Sequence, residues 1–309
     1  VTTAVEPEAG PDTSAGATGL FVAAALCLAL AVASLLVPST LTYDAWAWLV
    51  WGREVRTLAL DTTAGPSWKP LPVAVATPLS LLPGLTAPAW IAITRAAGLF
   101  ALVAVYRMGR RLAGVVAGLV AAAALVLTPD AETRFVRLLL EGHTAPFEAA
   151  LALWAMERHL AGRHRLAFLL AAALGLLRPE VWPILAVYGA WLGWRSPRER
   201  MLVAVTGVVL LVAWVGGDLW GSGDPFHGAE LAQVATGGPV DQLRQVLNRS
   251  WDLVPVPVWL AAGVALVDGW RRRRHDVQAV AAMAAVWWGI VLAMCVVLDY
   301  AALSRFLLP

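Results

Sequence analysis

Charge and cysteine are what this chain has least of. Only 14% of its 309 residues are charged, and two are cysteines. Cys27 and Cys295 both fall inside apolar runs, which argues against a disulfide framework and reads them as small core- or lipid-facing residues. There are five histidines, and no spacing resembles a zinc or haem motif, so no metal ligand set is assigned. The motifs of soluble enzymes are missing as well: no Walker loop, no HExxH, no CxxC and no convincing GxSxG. Nothing points to a nucleic-acid partner. The N-terminal VTTAVEPEAGPDTSAG lacks the basic flank of a cleaved signal peptide, so the apolar run behind it reads as a retained helix. Residues 1–16, acidic and bearing Pro and Gly, are expected to form a disordered cytoplasmic tail.

What fills the chain instead is apolar surface. It is 60% hydrophobic, with a mean hydropathy of +0.70. Runs of about 20 apolar residues, each able to cross about 30 Å of hydrocarbon, account for that excess. The expected fold is all-α: a polytopic helical membrane protein of about nine spans. These are placed at 17–37, 86–106, 112–128, 144–157, 166–177, 181–194, 201–217, 255–268 and 277–298. The spans at 166–177 and 181–194 are short and flank Arg178-Pro179-Glu180, so they read as a broken or re-entrant pair.

Arginine gives the orientation. Four short loops, at 107–111, 158–165, 195–200 and 271–274, hold thirteen of the 23 Lys and Arg residues. The positive-inside rule puts them, and the N-terminus, in the cytoplasm of a plasma-membrane protein. Loops 38–85, 129–143 and 218–254 then face the exterior, over a membrane-facing cavity. Many of the sixteen tryptophans lie at span ends, among them Trp46, Trp48, Trp51, Trp90, Trp182, Trp194, Trp220, Trp259 and Trp270, and read chiefly as an interfacial belt. Trp48, Trp51, Val55 and Leu58 recur at helical spacing, which suits a helix lying flat in the interface. A further helix is expected around 240–250. Arg305-Phe306-Leu307-Leu308-Pro309 reads like the start of another helix, so the domain over 17–309 is expected to be a C-terminally shortened form of something longer.

Ionisable residues at membrane depth are costly and so mark candidate sites. They are Asp44, Lys69, Arg95, Arg134, Arg137, Glu141, His143, Glu148, Arg178, Glu180, Asp299 and Arg305, most of them at exterior span ends. Asp44 suits a general base, and equally an N-cap for the helix that follows. Lys69 suits a phosphate contact or a lysine snorkelling to lipid headgroups. Arg178 suits a phosphate clamp or an ion pair with Glu180 or Glu141. Arg134, Arg137 and Glu141 fit one face of a solvated helix, and Glu141 and His143 lie nearest the membrane.

These elements together resemble the GT-C superfamily of membrane glycosyltransferases. The resemblance rests on Thr42-Tyr43-Asp44 after the first span, an interfacial helix over 45–58, Trp68-Lys69-Pro70-Leu71-Pro72, Leu177-Arg178-Pro179-Glu180, and Arg305-Phe306-Leu307-Leu308-Pro309. It runs loosely from about residue 17 to 309, and it is nearest to mannosyl-, arabinosyl- and aminoarabinose transferases. Leu71 separates two prolines that are adjacent in the family's Lys-Pro-Pro element. The resemblance implies transfer of a sugar from a polyprenyl-phosphate donor to an envelope glycan, lipid or protein acceptor on the exterior face. Asp44 would be the catalytic residue, with Lys69, Arg178, Arg137, Glu141, His143 and Glu180 around substrate and phosphate. No soluble cofactor is implied. Some members carry two acids one residue apart; here Trp46 holds the second place, which argues against a two-acid metal site, and a divalent cation stays an open alternative. Membrane lipids are the remaining partners. The Ala-, Arg-, Val- and Trp-rich composition fits a high-GC genome such as an actinobacterium's. The rival expectations are a non-enzymatic carrier or flippase for a lipid-linked saccharide, and an inactive membrane scaffold.

Overall fold

A computed structural model describes residues 13–128, 134–233, 237–301 and Leu307. Residues 1–12 of the expected tail, 129–133 of the second exterior loop, and Arg305 lie outside the described residues. A helix begins at Thr13, within the stretch expected to be tail. Every regular element described is a helix. In chain order they are α1 (Thr13–Ala33), α2 (Tyr43–Arg56), α3 (Pro70–Leu79), α4 (Thr86–Val126), α5 (Phe135–Leu140), α6 (Ala145–Leu160), α7 (His164–Gly175), α8 (Trp182–Arg195), α9 (Arg200–Ser222), α10 (His227–Ala232), α11 (Pro239–Asp252), α12 (Val256–Arg271) and α13 (His275–Val297). Helix α6 packs between α4 and α7, α1 lies against α4, α2 against α3, and α13 against both α11 and α12.

The nine-span expectation does not hold. Among the described residues four helices are long and apolar enough to cross a membrane, α1, α4, α9 and α13, or five if the bent pair α11–α12 is one span. Helix rise explains the shortfall. With 16, 12 and 14 residues, α6, α7 and α8 extend about 24, 18 and 21 Å at 1.5 Å per residue, short of a roughly 30 Å hydrocarbon layer. The expected spans at 86–106 and 112–128 fall on two helical segments of α4 that meet at a non-helical break at Ala113 and Gly114. Gly114 has φ +88°, where a glycine is at ease. The chain doubles back there: a Cβ on Gly109 would lie 2.8 Å from the Cα of Gly118. On a straight helix nine residues would separate them by about 13 Å.

Helix α2 does not present Trp48 and Trp51 to a membrane surface. Trp48 and Trp51 are buried, with Trp68 and Trp90, in one aromatic core. Ring centroids lie 6.0 Å apart for Trp48–Trp90 and 5.9 Å for Trp51–Trp68. Helix α3 covers that face through a close crossing at Gly52, where a Cβ would meet the Ala76 backbone at 2.7 Å. Those three expected belt tryptophans are therefore core, whereas Trp46, Trp194, Trp220 and Trp270 are exposed. The N-cap of α2 is Thr42, whose Oγ1 accepts the Ala45 N–H at 3.3 Å; Asp44 belongs to the first turn instead.

Two polar clamps fix the ends of the bundle. Arg95, buried in α4, donates to the Ser34 carbonyl at 2.6 Å, the Leu139 carbonyl at 3.2 Å and the Ser39 hydroxyl. It joins the end of α1 to the end of α5, a structural role. The arginine loops meet one another beside the break in α4. Arg107 and Arg158 share the buried Glu157, Arg165 pairs with Glu199, and Arg274 donates to the Leu112 carbonyl at 2.7 Å.

Candidate functional site

Two cation–proline steps organise the site. A residue before proline is kept out of the helical region, because the proline ring crowds its backbone. Lys69 precedes Pro70 and has φ −136°, ψ 112°; Arg178 precedes Pro179 and has φ −139°, ψ 105°. Lys69 is thus the extended N-cap of α3, and Arg178 that of a three-residue 3₁₀ turn, Pro179–Val181, just before α8; both open on proline. A backbone bond of 3.2 Å from the Leu71 N–H to the Leu176 carbonyl ties the two breaks together. The carbonyl of Gly175, freed by the end of α7, accepts from the indoles of Trp182 at 3.1 Å and Trp214 at 2.9 Å. The break is therefore supported by side chains.

Glu148 closes the cluster. It lies in the first turn of α6 and is buried. Lys69 Nζ stands 3.3 Å from its Oε1 and Arg178 Nε 2.5 Å from its Oε2. Thr144, one turn earlier, donates to Oε1 at 2.8 Å. The two cations and one carboxylate sum to a formal +1. Lys69 Nζ also sits 5.5 Å above the Trp48 ring, and Arg178 lies 6.0 Å from the Trp287 ring. The indole N–H of Trp48 is buried and has no acceptor among the described residues. The patch is thus rich in donors and carries net positive charge, the character of a site for an anion.

The other expected site residues divide into those beside this cluster and those apart from it. Asp44 is half-buried one helical turn before Trp48, on the helix whose indole Lys69 overlies. His143 stands within electrostatic reach of Glu148, and its Nδ1 accepts the Ala145 N–H at 3.0 Å. The Trp90 indole holds that turn through the Gly142 carbonyl at 2.8 Å. Glu180 follows Arg178 in a short 3₁₀ turn, and its Oε2 is buried without a partner among the described residues. It does not form the expected pair with Arg178, which goes to Glu148. Arg137 and Glu141 pair with each other at 2.7 Å on the surface, an i, i+4 bridge apart from the cations. The main chain of Glu141 still reaches the first loop, since its carbonyl accepts the Thr42 N–H at 3.1 Å.

Glu148 was one of several ionisable residues in the sequence, and nothing in its local spacing singles it out. The usable signal was charge balance, because two cations at membrane depth call for an anion on a neighbouring helix. Among the described residues no three His, Cys, Asp or Glu side chains group as metal ligands.

An apolar cavity of about 330 Å³ lies between α6, α7, α8 and α13. Leu174, Val181 and Trp287 line it near Arg178, and Met108, His159 and Tyr188 at the other end. There the Tyr188 hydroxyl lies 3.0 Å from His159 Nδ1 and 3.4 Å from His164 Nδ1. The arrangement can hold an anionic head at the cations and an apolar chain in the cavity. No family model matches this chain, and no curated protein or solved structure matches it either.

Proposed function

We propose that this chain is a GT-C-type membrane glycosyltransferase that moves a sugar from a polyprenyl-phosphate donor to an envelope glycan, lipid or protein acceptor on the exterior face. The observation that carries this reading is the pairing of Lys69 and Arg178 on Glu148 close to an apolar cavity that Leu174, Val181 and Trp287, the neighbours of Arg178, help to line. A polyprenyl-phosphate sugar is a phosphodiester with one negative charge, which complements the cluster's formal +1. Its isoprenoid tail suits the cavity. Asp44 would accept the proton of the acceptor hydroxyl as that oxygen attacks the anomeric carbon. The carbon–oxygen bond to phosphate breaks, and the lipid phosphate leaves with a second negative charge. Lys69 and Arg178 stabilise that added charge, the term that most lowers such barriers. Arginine suits the role through its planar fork of donors.

The test is incubation of the purified, membrane-reconstituted protein with a panel of radiolabelled polyprenyl-phosphate sugars and candidate acceptors. Parent protein should transfer label; Asp44→Asn should bind donor normally and lose turnover at least tenfold. Full turnover in a stable Asp44→Asn protein removes the base assignment. A carrier is the second reading, favoured by the extent of the cavity, which reaches His159 and Tyr188 near the arginine loops. Movement of labelled donor between leaflets with no transfer to any acceptor would put that reading ahead.

A further inference from the structure

Helix α11 carries its apolar residues on two faces. Gln242, Val246 and Ser250 are buried, and Val246 joins Trp287, Val291 and Cys295 of α13 in one cluster. Val240, Leu243, Leu247 and Trp251 are exposed large hydrophobics. At 100° per residue these four fall within an arc of about 80°. Arg244 borders that arc, and Asp241, Gln245 and Asn248 occupy the face beyond it. The exposed stripe therefore lies between the protein-facing side and a polar side.

The chain then bends by 92° into α12. Pro255 sets the turn, with φ −59° and ψ 148°. Trp251 and Trp259 stack across the elbow with planes 4° apart and centroids 6.4 Å apart. The Trp259 indole donates to the Trp251 carbonyl at 3.2 Å. Beyond the elbow α12 keeps Val256, Leu260 and Val264 exposed, as a helix surrounded by lipid does. A helix held at a right angle to α12 lies in the membrane plane if α12 runs along the normal, and its stripe continues the lipid-facing surface of α12. Tryptophans at the corner and an arginine at the stripe's edge are the side chains that favour the headgroup region.

We infer that α11 is an in-plane membrane helix whose stripe of Val240, Leu243, Leu247 and Trp251 is covered by lipid at the boundary between headgroups and acyl chains. Such helices seat their apolar face about 5–10 Å into that boundary. The interfacial helix of this protein is then α11, in the last large loop, and not α2 in the first.

The test uses the full chain with Cys27 and Cys295 replaced by alanine, reconstituted in vesicles of phosphatidylcholine with phosphatidylglycerol. Single nitroxide labels are placed through Leu243→Cys, Leu247→Cys, Asp241→Cys and Asn248→Cys, all exposed positions whose replacement removes no core contact. Collision with oxygen should exceed collision with a water-soluble nickel chelate at 243 and 247, with the reverse at 241 and 248. A uniformly aqueous pattern would overturn the inference. So would protection of 243 and 247 from both reagents, which would put a protein surface, such as a second copy of the chain, on the stripe.

Discussion

Replacing Glu148 by glutamine removes a charge and almost nothing else. The side chain is 1% exposed, against 5% for Arg178 and 23% for Lys69. Taking away one member of a buried ion pair typically costs about 3–5 kcal/mol, since the partner is left charged in a poorly solvated place. Arg178 carries most of that cost, because Lys69 keeps partial access to water. The formal charge of the cluster rises from +1 to +2 in the same step. An anionic ligand should then bind more tightly and restore part of what was lost. Thermal denaturation in detergent, followed by tryptophan fluorescence with and without polyprenyl phosphate, measures both effects. Glu148→Gln should melt earlier than parent when ligand-free and show the larger ligand-induced rise, by mass action on the folded state. Lys69→Met removes the less buried cation; it should cost little stability and abolish the rise. A Glu148→Gln protein as stable as parent, or one destabilised with no response to the lipid phosphate, would refute the view that Glu148 holds two cations ready for an anion.

Arg178→Lys should lower turnover with the donor more than tenfold, because an ammonium cannot keep the 2.5 Å contact to Glu148 and also present a planar fork to phosphate; radiolabel transfer reads it. Gly217→Ala should destabilise by about 1–3 kcal/mol, since the added methyl would sit 2.2 Å from the Trp68 indole, whereas Gly216→Ala, with 3.8 Å to its nearest neighbour, should be neutral or slightly stabilising; midpoints of thermal unfolding separate the two. A reporter fused after Arg274 should be cytoplasmic and one inserted near Gly238 exterior, as the arginine loops require; both on one side would discard the orientation.

Where the helices run was readable from apolar periodicity and from proline. The breaks at Lys69-Pro70 and Arg178-Pro179 were legible because proline constrains the residue before it whatever the tertiary context. The number of spans was not legible, because composition separates apolar from polar but not a crossing helix from a short one packed on its neighbours. Trp48 and Trp51 show the same ambiguity. Their helical spacing announces an apolar face, yet only α3, closing over Gly52, decides that the face meets protein and not lipid. Glu148 stood among the candidate ionisable residues, but its place at the centre of the cluster was not legible: its partners come from two other segments, and no local pattern records them.

The charges of the central cluster are far apart in the order of synthesis. Glu148 follows Lys69 by 79 residues and precedes Arg178 by 30. A chain entering the bilayer as it is made must bring in α6 with its carboxylate while the guanidinium is still inside the ribosome or its exit path. Glu148 sits in the first turn of α6, and burying a lone ionised acid away from water is costly until a cation pairs with it. Of the two cations only the earlier lysine is already made at that moment, and Thr144, at the start of the same helix, offers a hydroxyl. Lys69 would in that case act first as an assembly aid, and the cluster would become rigid only when α7 ends and Arg178 arrives. Loss of the lysine would then show up as poor insertion of α6 in nascent chains as well as in the mature protein's response to anions.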